Sequence, residues 1–419
     1  MSKPKLGDIS CMKNIAVLST SDTKGPETQY VIKIIESLGH KVIYIDGATL
    51  EEPKFEAEYP CDEVAKRAGT NIQAVRAIKG AGSAAKIMGK GAIAIVKELY
   101  DAGELDGIFG LGGGMNSTYA SGAMRELPVG VPKFLVATKV NDPGSPQYYV
   151  GAKDVTLMPS FADIAGLNKV TNQILTNAAY AISGMVNAPK VKASGKPIAV
   201  LGMIGLTTGL GLGVKDLLED KGYEVIVFHT MGIGGRCLEP FIRDDPEVAG
   251  IMEGCLWEVG NHLFDGLSTA GPHRLIEGPK KGIPQVLTPG ACSCIAFRGM
   301  ETVPEKYKDR NFYEHNPKAT PMLLNPDETK LAAETIADRI NQSTGPVEFL
   351  IPTKGFCNLT GVEGAVFYEQ EKASGAEKVF IETLKSNLRD DIPVKEIAAN
   401  INDKVFIDAV VETFSRLTK

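Results

Sequence analysis

The first residues able to do chemistry follow a short apolar run, Ile15–Leu18, near the start of the chain. They are Thr20, Asp22, Thr23 and Lys24. Hydroxyl groups can donate hydrogen bonds to phosphate oxygens, the Lys24 ammonium can supply positive charge, and the Asp22 carboxylate can bind a metal or a ribose. The same residue types are preferred at helix N-termini, and Pro26 suits a first helical turn. Helix capping is therefore the alternative interpretation.

A second group is a glycine run that follows the apolar segment Gly107–Phe109. The residues of this predicted phosphate cradle are Gly110, Gly112, Gly113, Gly114 and Ser117. Successive glycines let backbone amides approach a ligand, and the dipole of the following helix favours an anion. The run is neither a G-x-G-x-x-G fingerprint, because Met115 replaces the third glycine, nor a Walker loop, because no Gly-Lys-Ser/Thr follows. Tight packing between strand and helix is the alternative.

A third group, in the second half of the chain, is more typical of an enzyme. The candidate catalytic residues are His229, Arg236 and Glu258. His229 ends an apolar run and precedes the glycine-rich turn Gly232–Gly235, so its imidazole is placed to move a proton on a ligand held by Arg236. A hydrogen-bonded structural histidine at a strand end is the alternative.

Two other clusters are not predicted to be sites. Glu258 and His262 stand four apart on a predicted helix, but no third ligand is apparent, so no metal site is predicted. Cys292 and Cys294 follow a strand end, yet their spacing alone indicates neither zinc nor a redox pair. We assign these two thiols to packing.

The elements that must position these groups occur twice in the sequence. Each half shows a buried apolar strand, a turn rich in small polar residues, a helix that ends at glycine, and a second apolar strand. The ordered matches between the halves are Ile15–Leu18 with Ile198–Leu201, Val42–Ile43 with Val225–Ile226, Leu105–Gly107 with Phe264–Gly266, and Gly130–Lys133 with Gly282–Gln285. This pattern predicts an α/β fold of two tandem Rossmann-like domains with parallel sheets, related by internal duplication.

A segment rich in Pro, Gly, Ser and Lys, Asn187–Pro197, separates the halves and is predicted to be a linker. The predicted domains are residues 1–188, which would bind a nucleotide or phosphate, and 189–419, which would end in helices. Asp327–Asn341 and Asp403–Leu417 are the predicted amphipathic helices. The apolar face of the second helix would carry Val405, Ala409, Val410 and Phe414.

Composition excludes several classes of protein. The 419 residues are 43% hydrophobic and 23% charged, which is typical of a packed globular chain. A net charge of −6 without basic, aromatic runs argues against a nucleic-acid partner, and the longest apolar runs are too short to span a membrane. Seven scattered cysteines without a signal-peptide pattern favour reduced thiols. We therefore expect a cytoplasmic protein, a homodimer, that binds a small molecule.

Three blocks of the first half resemble the Tm-one-like ATP-binding domain family: Ser19–Lys24, Gly110–Gly113 and Arg125–Lys133. Later blocks, among them Gly232–Arg236, extend the resemblance into the second half. The resemblance implies two Rossmann-like domains and ATP, with Mg²⁺, as the ligand of the amino-terminal half. The sequence departs from the family pattern in three presumed ligand loops, Lys79–Gly82, Gly114–Ser117 and Ala137–Asp142, which leaves the phosphate-bearing ligand open.

Two functions remain as hypotheses. The first is an enzyme of small-molecule metabolism with its site in the cleft between the domains, which the His229 and Arg236 turn favours. The second is a non-catalytic, nucleotide-binding regulatory or interaction protein, which is favoured by the lack of a Walker loop or a complete catalytic triad.

Overall fold

The protein is described by a computed structural model that covers residues 12–317 and 319–419. These residues form two compact units, of which the first ends at Val191 and the second begins at Lys192. Each unit is built on a parallel β-sheet with helices between its strands. The predicted α/β fold with two domains is therefore confirmed.

The first unit alternates strands with helices along the chain. Its strands are β1 (Asn14–Ser19), β2 (Lys41–Asp46), β3 (Gly107–Gly112), β4 (Lys133–Ala137) and β5 (Thr156–Pro159). Its helices are α1 (Ser21–Ser37), α2 (Cys61–Arg67), α3 (Ile72–Arg76), α4 (Ala81–Asp101), α5 (Gly114–Glu126), α6 (Ser145–Val150) and α7 (Lys169–Val186). All strand pairs are parallel, in the order β2-β1-β3-β4-β5.

The apolar strands of the first unit follow from burial on both faces of the sheet. Successive side chains of a strand point to opposite faces, so a strand covered by helices on both sides is apolar at nearly every position. In β1, Ala16 and Leu18 pack in one core with α4 and α5. Ile15 and Val17 pack in the other core with α1 and α7. The continuous run Ile15–Leu18 is explained by these two cores.

The second unit has a larger parallel sheet. The strands of this sheet are β6 (Ile198–Met203), β7 (Glu224–His229), β8 (Val248–Glu253), β9 (Gln285–Leu287), β12 (Val347–Pro352) and β13 (Val394–Ile397). A separate antiparallel pair is formed by β10 (Cys294–Phe297) and β11 (Thr320–Leu323). Its helices are α8 (Thr208–Asp220), α9 (Ile233–Asp244), α10 (Trp257–Leu263), α11 (Glu277–Lys281), α12 (Pro326–Ile340), α13 (Tyr368–Ser374), α14 (Ala376–Asn387) and α15 (Lys404–Leu417). Short 3₁₀ turns cover Gly205–Thr207, Met300–Thr302 and Glu305–Tyr307.

The two sheets share their strand order. Taken from the same edge, the second sheet runs β7-β6-β8-β9-β12-β13, which repeats the order of the first sheet and adds one strand. β2 and β7 end at Asp46 and His229, as the sequence match requires. The match of Leu105–Gly107 with Phe264–Gly266 is wrong, because Gly107 begins β3 whereas Gly266 follows α10 and begins no strand. An apolar residue followed by Asp-Gly is a common turn pattern and does not identify a strand.

Both predicted helices near the end of the chain are present as α12 and α15, within one residue of the predicted bounds. The predicted apolar face of α15 is wrong at Val405, which is 66% exposed. The buried face instead contains Phe406, Val410 and Phe414, which recur at the four-residue spacing of one helix face. No helix within residues 12–317 and 319–419 is long and apolar enough to cross a membrane.

Candidate functional site

In the first sheet, β1 and β3 are neighbours whose following helices pack on opposite faces. α1, which follows β1, belongs to one core, and α5, which follows β3, belongs to the other. At such a reversal of strand order a crevice opens at the carboxyl ends of the strands, and open α/β sheets bind ligands there. The predicted groups Thr20–Lys24 and Gly110–Ser117 follow or end these two strands. We call this position the first switch point.

Three side chains connect the two loops of the first switch point. The hydroxyls of Thr20 and Thr23 share a hydrogen bond of 2.7 Å. Asn116 Nδ2, from the first turn of α5, donates to Thr20 Oγ1 at 2.7 Å. Asn116 was not among the residues that the sequence predicted, although an Asn two residues after a glycine run is a usable signal. The hydrogen bonds show that the structure brings Thr20 and the glycine run together.

The N-cap residues of the two helices at the first switch point make no capping hydrogen bond, although Asp46 accepts one N–H of α1. Thr20 is the N-cap of α1 and Gly113 is the N-cap of α5, and neither side chain accepts a hydrogen bond from its helix. In α1, the N–H of Ser21 donates to Asp46 Oδ1 at 2.9 Å. Helix capping therefore does not explain the hydroxyl at Thr20. The remaining N–H groups of the two first turns point a partial positive charge out of each helix.

The glycines of the run serve two different purposes. A Cβ atom added to Gly110 would come within 2.7 Å of Ala120 Cβ, so this glycine is required for packing between β3 and α5. Gly112 has a φ of +154°, and its added Cβ would meet Asn116 Cβ at 2.3 Å. In contrast, an added Cβ on Gly113 would meet nothing nearer than Thr138 Oγ1 at 3.8 Å. On Gly114 the nearest atom would be the flexible Lys139 Cδ at 3.3 Å.

Asp22 fastens the loop that follows β2. Its Oδ2 accepts hydrogen bonds from the backbone N–H groups of Thr49 at 3.0 Å and Leu50 at 2.8 Å. The residue is 3% exposed, and its other oxygen, Oδ1, has no hydrogen-bond partner within the described part of the chain. Asp22 therefore holds the loop after β2 through its Oδ2, while its buried Oδ1 makes no hydrogen bond within the described residues.

The other predicted ligand residues of the first unit have local partners. Lys24 Nζ donates to the backbone carbonyl of Ile164, and Ser117 Oγ donates to the carbonyl of Gly112 at 3.3 Å. Thr23 is exposed. Whether these residues and the glycine run hold a cofactor stays a prediction.

In the second unit, the turn Gly232–Gly235 already holds an anion. Glu258 Oε1 accepts hydrogen bonds from the N–H groups of Gly232 at 2.5 Å and Gly235 at 3.1 Å. A Cβ on Gly235 would come within 2.0 Å of Glu258 Oε2, and Gly232 has a φ of +89°. Gly235 is therefore required by the carboxylate of the protein itself, and a bound anion would compete with Glu258 for the same N–H groups.

Glu258 belongs to a buried ion cluster centred on Arg274. Arg274 Nε donates to Glu258 Oε2 at 2.7 Å. The guanidinium also donates to both oxygens of Glu253, at 2.7 and 2.8 Å, and to Glu239 at 3.1 Å. All four side chains are at least nine-tenths buried. Burial raises the pKa of the Glu253 carboxyl, although Arg274 opposes the shift. We call these four residues the Arg274 cluster.

The sequence did not indicate the Arg274 cluster. The arginine lies 16 residues from Glu258, 21 from Glu253 and 35 from Glu239, so no local pattern joins them. His229 and Arg236, in contrast, are both exposed beside the turn. The structure thus separates the three predicted catalytic residues into two exposed side chains and one buried carboxylate. Their catalytic role stays a prediction.

Solved structures match the chain only distantly, and two of them illustrate this. A co-structure of MnaA with UDP from S. aureus is 10% identical, covers 66% of this chain and 79% of that chain, and has a TM-score of 0.24. UDP-GlcNAc 2-epimerase from Neisseria meningitidis bound to UDP-GlcNAc is 9% identical, covers 66% of this chain and 82% of that chain, and has a TM-score of 0.22. Scores this low carry no argument about fold or function.

Relatives of known sequence match much more closely. A UPF0261 protein from Clostridium tetani is 38% identical over 404 residues, 96% of this chain and 98% of that protein. A UPF0261 protein from Mesorhizobium japonicum is 33% identical over 95% of this chain and 98% of that protein. The ToMV resistance protein Tm-1(GCR237) from Solanum lycopersicum is 32% identical over 343 residues, 80% of this chain and 45% of that protein.

Two family models match in succession. Residues 13–191 match the N-terminal domain of the uncharacterised protein family UPF0261, and residues 196–418 match its C-terminal domain. Together with the tomato relative, these matches confirm the predicted resemblance to the Tm-one-like family. The chain therefore belongs to the UPF0261 family.

Proposed function

We propose that the first domain binds a phosphate-bearing small molecule at the first switch point, and that ATP with Mg²⁺ is this ligand. The observation that carries the proposal is the open space at Gly113. Packing accounts for Gly110 and Gly112, but no atom of residues 12–317 and 319–419 requires the absence of a side chain at Gly113. A ligand that lies close to the backbone at Gly113 would explain why a glycine occupies this position.

The surroundings of Gly113 and Gly114 suit an anion. The first turn of α5, whose N-cap is Gly113, offers N–H groups and the positive end of its helix dipole, whereas Asp46 already accepts the N–H of Ser21 in α1. Lys139, whose Cδ lies beside Gly114, pairs with Asp142 at 3.3 Å, and both side chains are more than half exposed. Exposed ion pairs are worth only about 0–1 kcal/mol, so the Lys139 ammonium can turn towards a phosphate at little cost.

ATP follows from the resemblance to the Tm-one-like ATP-binding domain family, and Mg²⁺ fits one feature of the site. Mg²⁺ in nucleotide sites is commonly held by one or two carboxylates together with the phosphates. Asp22 Oδ1, buried and without a partner in the described chain, is the oxygen that would serve it. No group of three or more His, Cys, Asp or Glu side chains able to hold a metal occurs within residues 12–317 and 319–419.

The same site would serve an enzyme or a nucleotide-binding regulator. Exposed His229 and Arg236 in the second unit are the side chains that an enzyme would use, the imidazole to transfer a proton and the guanidinium to clamp a carboxylate or phosphate. A regulator would need neither of them.

Titration calorimetry of the full chain tests the proposal. ATP with Mg²⁺, inorganic phosphate and glucose 6-phosphate are titrated into the native protein and into Gly113→Ala and Gly113→Val. We expect ATP to bind, and its affinity to fall progressively with the size of the new side chain, by at least about tenfold for valine, or ~1.4 kcal/mol.

Gly122→Ala is the matched control, because Gly122 lies in the same helix and an added Cβ there meets no atom within 4 Å. This variant should keep full affinity, and thermal unfolding should show all three variants folded. Absence of binding of every ligand at millimolar concentration would refute the phosphate site. Undiminished affinity in Gly113→Val would show that the ligand binds elsewhere.

A further inference from the structure

The second unit contains a cavity of about 780 Å³ beside the end of β12, two strands along the sheet from β8 and its Glu253 of the Arg274 cluster. Pro352 and Thr353 line it from the strand end, and one face of α14 lines it from the side. Its ionisable lining residues are Glu371, Glu377, Lys378, Glu382, Lys385 and Glu396. Carboxyl ends of parallel strands are where open sheets bind ligands, so the position suits a site.

Glu377 is the buried carboxyl of this cavity. Its residue is 7% exposed, and a single oxygen, Oε1, collects three hydrogen bonds. Thr360 Oγ1 donates at 2.6 Å, Ser293 Oγ at 3.0 Å and the N–H of Phe356 at 3.2 Å. Ser293 comes from the loop after β9, whereas Phe356 and Thr360 come from the loop after β12. Two loops of the sheet thus converge on one carboxyl.

Every donor to Glu377 is neutral. The two lysines of the cavity are paired with other glutamates, Lys385 with Glu396 at 2.7 Å and Lys378 with Glu382 at 3.8 Å. Within the described residues no lysine or arginine forms an ion pair with Glu377, in contrast to the glutamates of the Arg274 cluster. Burial therefore raises the pKa of Glu377 to about 7, opposed by the hydrogen bond from Thr360.

We propose that Glu377 is the proton-transfer group of a second small-molecule site, in which a neutral or cationic ligand enters the cavity and exchanges a proton with this carboxyl. Four glutamates against two lysines make the lining unfavourable for anions. A carboxyl that is half-protonated near neutral pH can both give and accept a proton. This site is independent of the phosphate site proposed for the first domain.

Several other titratable groups face Glu377 or its hydroxyl donors. Glu371 Oε1 accepts the N–H of Glu377 at 3.1 Å and adds a like charge. Cys294 Sγ lies 3.9 Å from Ser293 Oγ, and Cys357 Sγ lies 3.7 Å from Thr360 Oγ1. The complete set is Glu371, Lys378, Glu382, Lys385 and Glu396 from the cavity, with the buried thiols Cys292, Cys294 and Cys357.

A water-soluble carbodiimide that carries a tertiary ammonium group is a direct probe of this site. The carboxyl proton moves to one carbodiimide nitrogen while the carboxyl oxygen bonds to the central carbon. The adduct rearranges to a stable acylurea, with nothing released. In the native protein at pH 6, peptide mapping should find Glu377 labelled, and the labelling rate should fall about tenfold by pH 8, because the protonated fraction falls in that proportion around a pKa of about 7.

Three variants test which carboxyl is labelled and what sets the pH dependence of its labelling. Glu377→Gln should lose this label, and Glu382→Gln, which removes an exposed carboxyl of the same cavity, should keep it. Thr360→Val removes the hydrogen bond that lowers the pKa of Glu377, so labelling should persist to higher pH. A merely structural hydroxyl would not move that pH profile. An unlabelled Glu377 in the folded native protein at pH 6, or a labelling rate equal at pH 6 and pH 8, overturns the proposal.

Discussion

The switch points of the two sheets have the same strand order, but one is open and the other is occupied by the chain itself. In the first, an added Cβ on Gly113 would meet nothing nearer than 3.8 Å. In the second, Gly254, which directly follows β8, packs against strand β6, and its added Cβ would lie 2.8 Å from the carbonyl oxygen of Gly202. Glu253, which ends β8, is neutralised by Arg274. The crevice at the first switch point is open and polar, whereas the crevice at the second is filled by the chain itself.

The comparison shows how one topology can lead to a binding site or to a stabilising cluster. A glycine turn at the start of a helix leaves N–H groups that need an acceptor. In the second unit, the glycine turn after the edge strand β7 receives that acceptor from the chain itself, as the carboxylate of Glu258. The first unit supplies none at Gly113. A ligand anion is therefore expected only where the protein has not provided its own.

The largest expected effect is at the filled switch point. Arg274→Met leaves buried Glu239, Glu253 and Glu258 without their cation, which should destabilise the second unit by about 3–5 kcal/mol. Hydrogen exchange followed by mass spectrometry measures this for each unit separately. Exchange should accelerate throughout residues 192–419 and stay unchanged in the first unit.

Arg236→Ala and His229→Ala are the controls for that experiment. Both side chains are exposed, so neither change should alter the free energy of unfolding by more than about 0.5 kcal/mol. If Arg274→Met were as mild as these two variants, the Arg274 cluster would not be what holds the second switch point closed.

The next effect concerns the carboxyl that the second unit leaves without a cation. The pKa of Glu377 is about 7 in the folded protein, above the value of about 4.3 expected on unfolding. The folded state therefore binds this proton more tightly, and the resulting stability is lost as pH rises from about 4.3 to 7. Glu377→Gln should gain about 2–3 kcal/mol relative to the native protein between pH 5 and pH 8.

Urea unfolding of both proteins at the two pH values measures this difference. Glu382→Gln, on the same helix but exposed, should show the pH dependence of the native protein. A constant difference between Glu377→Gln and the native protein at pH 5 and pH 8 would mean that Glu377 is ionised throughout this range.

The smallest effect separates packing from binding within the open switch point. Gly110→Ala forces a Cβ against Ala120, Leu135 and Met124, and should cost about 1–3 kcal/mol of stability. Gly113→Ala should change stability by less than about 0.5 kcal/mol, because its φ of −82° is ordinary and the space is open. Denaturant unfolding of the two variants decides this. Equal losses would make both glycines structural.

The sequence by itself determined the two-domain α/β fold and the strand ends that carry the candidate residues of the first switch point. Apolar runs such as Ile15–Leu18 predict strands buried on both faces, and the matches between the halves predict one topology used twice. Glycine runs mark where backbone passes close to something else. These signals depend only on neighbouring residues, so they can be interpreted without knowing the fold. The same locality produced the wrong match at Phe264–Gly266, because a turn pattern carries no information about strand pairing.

Only the tertiary structure decided what each glycine and each carboxylate does. Gly110 and Gly113 are alike in the sequence, but one faces Ala120 and the other faces open space. Glu258 and Glu377 are both buried glutamates, yet an arginine 16 residues away reaches the first and only neutral donors reach the second. Burial and ion pairing depend on residues that folding brings together from distant parts of the chain. No local sequence pattern indicates which distant residues will meet.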